Sequence, residues 1–359
     1  MKFSPSNPTW YQRDRFILSN GHCCALQYAM LYLLSYKISL DDLKSFRQLN
    51  SVCPGHPENF QTPGVEVCTG PLGQGISNAV GMAISESHMR GVYGEEIVNN
   101  YTFVICGDGC LQEGISSEAS SLAGHLKLGS LIVLYDDNNI TIDGSTDLSF
   151  TEDVGARYEA YNWHVQRVQD DCAAIREAIE KAKAVKDRPS MVMVKTVIGT
   201  GSSKEGTAKT HGAPLGEEDL KSLKAKYGYD QDECFVVKDV VKSHYDAVSE
   251  RSEKVHDDFK RVVDEYKAGN PEKYGEIMRR IEGDTEKADE ILRKEGGGKD
   301  MATRKCSAGC LNSIAEAVSP FSPLFFFFFF CLQFYFLFFS FISILISPNT
   351  HTHTHTVDA

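Results

Sequence analysis

Between Leu72 and about Gly201 the spacing of apolar positions switches repeatedly between two periods. Ile, Ala and Met recur at helical spacing from Ile76 to Met89, and an Ala- and Ser-rich helix is expected from Glu113 to Lys127. Tyr101 to Cys106, Leu131 to Tyr135, Trp163 to Val168 and Met191 to Ile198 read as strands, the first stopped by Gly107. The amphipathic run Cys172 to Lys186 supplies another helix. Strands separated by helices of this length imply an α/β, doubly wound, mostly parallel sheet with helices on both faces. That domain is expected to span 1–216. From 217 to 300 the chain is dense in Lys, Glu and Asp, which reads as a charged helical connector packing on the larger body.

Composition adds limits. The 359 residues carry 37 basic and 49 acidic side chains, a formal charge of −12. Nucleic acid is therefore excluded as the main partner, since phosphate neutralisation needs a clustered basic excess. The 11 cysteines have no paired CxxC spacing, so neither a disulfide framework nor a zinc site is expected. The opening segment carries no apolar run of the kind a secretory signal needs, and a reducing, cytoplasmic setting is expected.

Candidate chemistry lies at two strand ends. Gly107-Asp108-Gly109 follows one strand and Asn138-Asn139 follows the next, with 28 residues (110–137) between Gly109 and Asn138, the length of a helical crossover. Alone, a GDG is a turn and an Asn after a strand is a cap. On adjacent parallel strands both arrive at the edge where α/β sheets bind ligands. Glycines beside Asp108 allow close approach of a phosphate. A carboxylate, an amide oxygen and a main-chain carbonyl such as that of Ile140 are hard donors suited to Mg²⁺, with diphosphate oxygens completing the octahedron.

This pair resembles the thiamin-diphosphate motif, and its surroundings are similar to the transketolase family in block order. The blocks are Asp14 to His22, Pro54-Gly55-His56-Pro57-Glu58, Thr69 to Gly75, Gly107 to Gly114, and His211 to Leu215. The resemblance covers residues 1 to about 319. It implies that Asp108, Asn138 and the Ile140 carbonyl hold Mg²⁺ or another divalent cation such as Ca²⁺. Gly109, Asn138 and His22 would contact the diphosphate, and Gly70, Pro71 and Leu72 would lie against the aminopyrimidine ring. His211 would stand between diphosphate and substrate, and His56 would face the hydroxyls of the sugar donor; both are the candidate catalytic residues. Arg304 would grip the substrate phosphate, and Glu113 would join a carboxylate relay between cofactor sites. Read alone, His22 is a helix-entry residue, His56 part of a turn, His211 an exposed loop histidine, Arg304 a surface arginine and Glu113 a charge favoured near a helix start.

The implied activity is transfer of a two-carbon ketol unit from a ketose phosphate to an aldose phosphate, of the pentose phosphate or Calvin-cycle type, by a homodimer in the cytoplasm or a plastid. A formaldehyde-accepting relative, a non-catalytic cofactor-binding fragment and a decoy that dimerises with the complete enzyme are the alternatives. Two departures from the family pattern bear on this. A histidine block that the family carries upstream of residue 1 is absent. The second, pyrimidine-binding domain is expected to begin near Met301 and to be a stub, 301–319. Residues 320–359 then form a non-family tail with 12 of the chain's 20 Phe, ending in His351-Thr352-His353-Thr354-His355-Thr356. By length Pro320 to Ile346 could span a bilayer, but homopolymeric Phe and His-Thr repeats read better as translated non-coding sequence, with no membrane anchor. The chain is expected to be inactive alone.

Overall fold

Five parallel strands in the order β1-β2-β3-β7-β6 build the centre of the molecule. In the computed structural model, which describes residues 1–283, 290 and 302–317, they are β1 (Arg15–Leu18), β2 (Thr102–Gly107), β3 (Leu131–Asp137), β6 (His164–Gln169) and β7 (Ser190–Lys195). A two-residue pair, β4 (Ile140–Thr141) and β5 (Gly144–Ser145), follows β3 as an antiparallel hairpin. The inner strands are buried nearly end to end, as LIVLY in β3 and SMVMV in β7 require of a sheet covered on both sides. Phe103 and Ile132 pack with Ala182, while Val192 and Val194 pack with Ala178, both alanines on α7 (Cys172–Ala184). Asp171 caps that helix by accepting the Ala174 N–H at 2.8 Å.

Further helices surround the sheet. α1 (Cys24–Leu33) packs Tyr28 and Leu31 on Leu18, with short α2 (Leu40–Lys44) beside it. α3 (Gln74–Tyr93) lies on β1, β2 and β3, and α5 (Gly114–His125) packs on α3. A five-residue helix, α4 (Asp108–Gln112), starts where β2 ends, and α6 (Val154–Ala160) packs on β6. Sheet and helices thus form the doubly wound architecture expected from the sequence.

The charged stretch beyond Gly216 contains α8 (Glu217–Lys226), α9 (Asp239–Gly269) and α10 (Pro271–Ile281). Its 31-residue α9 is fastened to the start of the chain: Ser252 donates to the Phe3 carbonyl at 2.7 Å, Ser249 to the Leu34 carbonyl at 2.9 Å, and Glu253 accepts the Ser6 N–H at 2.8 Å. Phe259 and Tyr266 of α9 and Ile277 of α10 bury against Trp10, Tyr93 and Ile97. Residues Met1–Glu282 form one compact unit; α11 (Thr303–Ala317) belongs to a second. The side chain of Arg304 and the run 320–346 lie outside the described residues. Among the described residues no helix is long and apolar enough to cross a membrane, and no disulfide joins the described cysteines.

Two local expectations change. Gly107 is the last residue of β2 and Asp108 the first of α4, so the GDG is a strand-to-helix junction with no free loop. Glu113 does not lie within a helix: its ψ of 134° breaks the chain between α4 and α5, where it is exposed. The cause is tertiary. Gly73, in a left-handed conformation at the start of α3, sits where an added Cβ would lie 2.8 Å from Glu113 Cβ, and Ser116 of α5 donates back to the Cys110 carbonyl.

Candidate functional site

The carboxyl ends of β1, β2 and β3 are neighbours, with Gly107 of β2 in register with Asp136 of β3. Each delivers polar groups to one edge. After β1 come Ser19, Asn20 and Gly21, then His22 in a 3₁₀ turn (Gly21–Cys23). Asp108 follows β2. Asp136 and Asp137 close β3, and Asn138 follows them.

Asp108 is 3% exposed. Its Oδ1 accepts a hydrogen bond from the Tyr135 hydroxyl, while its buried Oδ2 has no partner. Burial is the main force pushing its pKa up to about 6; Asp137 and Asp136 push the same way, against the Tyr135 hydrogen bond and Lys195. Tyr135 is itself driven upward, by burial first and the Asp108 charge next, and so remains a donor.

Asn138 is oriented from two sides. Its Nδ2 donates to Asp136 Oδ2 at 3.1 Å, and its Oδ1 accepts the Ile140 N–H at 2.9 Å. Asp136 is in turn held by the Thr196 hydroxyl, which donates to its Oδ1. Asn139 adopts φ +59°, a left-handed conformation that Asn tolerates better than most residues. Lys195 crosses from β7 to Asp137 at 3.2 Å and also reaches Asn139.

The histidines gather at the same edge. His22 and His211 stack with ring centroids 5.0 Å apart and planes at 27°. Burial lowers the His22 pKa most, and His211, His56 and Arg47 lower it further, so the imidazole is biased toward its neutral form. His211 Nδ1 is buried without a partner. His56 is exposed, on a loop fixed from beneath by buried Tyr28, whose hydroxyl lies 3.1 Å from the Pro54 carbonyl and 3.0 Å from that of His56. The same long loop is held to β1 by Glu66, which pairs with Arg13 at 2.7 Å and Arg15 at 3.1 Å.

Glycines let these pieces meet. Gly70 has φ +147°, and a Cβ there would lie 3.3 Å from the His56 ring. At Gly109 a Cβ would lie 3.0 Å from Leu72 Cδ1, which brings the Gly70-Pro71-Leu72 segment against the GDG. The expected residues His22, His56, His211, Gly70, Leu72, Gly109, Asp108 and Asn138 therefore converge, and Pro71 is exposed at the rim. Glu113 is exposed just beyond Gln112 at the end of α4.

A profile described as "Transketolase, thiamine diphosphate binding domain" matches residues 1–286. The chain belongs to the transketolase family. Transketolase 1 of Saccharomyces cerevisiae is 50% identical over 323 residues, 88% of this chain and 47% of that protein. The solved transketolase of Leishmania mexicana superposes with a TM-score of 0.82 at 46% identity, covering 88% of this chain and 48% of that one. A Pichia stipitis transketolase in complex with sedoheptulose 7-phosphate superposes equally well, with a TM-score of 0.82 at 45% identity and the same coverage of each chain. This chain thus spans about half the length of these transketolases.

Sequence reasoning assigned no part to Asn20, Tyr135, Asp136 or Thr196. Asn20 is buried with an unpartnered Oδ1, and its Nδ2 lies 3.8 Å from where a Gly107 Cβ would sit. The available signal was position, since Tyr135 and Asp136 directly precede the Asn138 turn. Tyr135 reads as ordinary strand core, however, and Thr196 joins only through strand pairing.

The donor set suits a divalent cation with a diphosphate. Asp108 Oδ2 is a buried anionic oxygen lacking a counter-group, a costly state that a cation relieves. Among the described residues no group of three or more His, Cys, Asp or Glu could hold a metal. The donors expected from the sequence are instead one carboxylate, one amide oxygen and one main-chain carbonyl, hard oxygens of the kind Mg²⁺ takes.

Proposed function

We propose that this chain is the diphosphate- and metal-binding part of a transketolase, and that the reaction it serves moves a two-carbon ketol unit from a ketose phosphate to an aldose phosphate. Thiamin diphosphate, when bound, supplies the carbon–carbon bond chemistry; the protein binds and orients. Asp108 Oδ2, Asn138 Oδ1 and the Ile140 carbonyl would hold Mg²⁺ or Ca²⁺. Gly109, Asn138 and His22 would take the diphosphate, with Gly70 to Leu72 along the ring. His211, stacked on His22, would donate toward a phosphate or sugar oxygen, and exposed His56 would meet the hydroxyls of a sugar donor. Arg304 is assigned to the substrate phosphate by its place in the sequence alone. Sugar phosphates as substrates, a homodimer as the working form and a cytoplasmic setting complete the proposal.

The observation that carries it is the buried, unpartnered Asp108 Oδ2 at the strand edge shared with Asn138. Titration calorimetry on the full chain with thiamin diphosphate should register binding that needs Mg²⁺ and is lost in Asp108→Ala. Equal affinity in both proteins would overturn the assignment.

A further inference from the structure

The two ends of the Asn138 side chain have nearly the same size and opposite chemistry: the oxygen can bind a cation, and the nitrogen only donates protons. Which end faces the strand edge is decided by the partner each one meets. Asp136, two residues earlier in β3, accepts from Asn138 Nδ2 through its Oδ2 at 3.1 Å, and the Ile140 N–H donates to Asn138 Oδ1 at 2.9 Å. Asp136 is itself held from the neighbouring strand. The Thr196 hydroxyl, just beyond β7, donates to its Oδ1, and the Thr196 N–H donates to the Asp137 carbonyl at 3.2 Å.

We propose that Asp136 is a positioning residue that fixes which way round the Asn138 carboxamide stands: its carboxylate holds the nitrogen, so the oxygen is the end presented to cation and diphosphate. The inference rests on the cation reading above and adds to it the residue that orients one of the ligands. Turning the amide over would set Asn138 Oδ1 against the Asp136 carboxylate and Nδ2 against the Ile140 N–H, acceptor facing acceptor and donor facing donor. An ionised carboxylate only accepts, so Asp136 cannot adapt to the reversed amide. Asp136→Asn can, because a carboxamide offers a donor as well as an acceptor. The Ile140 bond does not compete with a cation, since a carbonyl oxygen has two lone pairs. Groups that hydrogen-bond a metal ligand in this way contribute about 10–100-fold to metal affinity.

The test is a double-mutant cycle on the full chain, read by calorimetric titration of thiamin diphosphate at fixed Mg²⁺, with thermal melting as the control for folding. Asp136→Asn alone should weaken binding roughly tenfold or more. In an Asn138→Asp background the ligand has two like oxygens and no orientation to set, and Asp136 becomes a second negative charge beside it. There Asp136→Asn should leave binding unchanged or strengthen it. A loss of similar size in both backgrounds overturns the proposal, because it marks Asp136 as a charge for the cation or a general support of the turn. Equal binding by Asp136→Asn and the unmutated chain overturns it too. Asp108→Ala separates the two levels. If it abolishes binding while the cycle shows no such reversal, the cation site stands and the role of Asp136 falls; if it binds as the unmutated chain does, the site itself is wrong. Should Asp136→Asn fail to fold, or the Asn138→Asp background bind nothing, the ¹⁵N-labelled side-chain amide of Asn138 in the unmutated chain, assigned by its absence from Asn138→Asp, decides the matter. An exchange-protected amide proton that persists when Mg²⁺ and thiamin diphosphate are added supports the proposal. A freely exchanging amide, or one whose protection is lost on that addition, overturns it.

Discussion

A carboxylate left bare and buried should weaken the folded protein, and Asp108→Asn measures that cost. Burial raises the Asp108 pKa from 3.8 to about 6. Each unit is worth about 1.4 kcal/mol, so holding this group ionised costs the folded chain about 3 kcal/mol. The sign follows from linkage: an acid whose pKa is raised on folding favours the fold while protonated, and that advantage drains away as pH rises through about 6. Between pH 4 and 7.5 the loss is about 2.4 kcal/mol, because part of it has already occurred at pH 4. Asp108→Asn removes the titration but places an amide N–H₂ where Oδ2 has no partner, a constant cost of about 1–3 kcal/mol. The absolute stability of the variant is thus a balance of two opposed terms, but its pH dependence is not. Urea unfolding in EDTA at pH 4 to 7.5 should find the stability difference between variant and unmutated chain moving by about 2 kcal/mol in the variant's favour. Thiamin diphosphate with Mg²⁺ should then stabilise the unmutated chain alone. A stability difference that stays flat with pH would refute the reasoning.

Two further outcomes are expected away from the ligand atoms. Gly75→Ala would place a Cβ 2.5 Å from the Ser19 backbone, so α3 must move off the end of β1; thermal unfolding should detect a loss of about 1–3 kcal/mol, and an unchanged midpoint would count against this packing. Glu86 on α3 is buried with Arg90 at 3.5 Å, and burial raises its pKa against the pull of Ser130, Arg90 and Lys2. Glu86→Gln should therefore gain stability relative to the unmutated chain as pH rises above the ordinary glutamate range, with the gain vanishing in acid; an advantage that grows toward low pH would reverse the sign.

What could be read from the sequence divides along physical lines. β2, β3 and β7 announce themselves because inner parallel strands must be apolar on both faces, and α3 and α7 because their Ala and Ile positions keep helical spacing. β1 escapes: it has four residues, opens with Arg15, and follows Arg13 and Asp14. Those charges read as surface until Glu66 is seen to neutralise both arginines and Asp14 to accept the Lys2 and Tyr101 N–H groups at 2.6 and 2.9 Å. Helix α9 looks solvated for a similar reason, since several of its anchors to the body are polar, with Ser249 and Ser252 bonding to carbonyls distant in sequence. In the site, motif residues were legible because their spacing carries them to neighbouring strand ends. The break at Glu113 was not, because it depends on the contact with Gly73 of another helix.

The end of β3 orients both Asp108 and Asn138 from one short strand segment. Alternate residues of a strand point to opposite faces, so Tyr135 and Asp136, adjacent in sequence, address different neighbours. Tyr135 reaches the carboxylate that follows β2, and Asp136 turns back to the amide that follows β3 itself. Thr196, just beyond β7, completes the second arm by donating to Asp136. The proposed ligands Asp108 and Asn138 are thus oriented from one strand, and that strand is buried in the middle of a five-stranded sheet. Any rotation of either ligand must break a hydrogen bond rooted in that sheet. The separation of duties also makes the two arms testable apart: Tyr135 bears on the carboxylate and Asp136 on the amide, although both lie on consecutive residues.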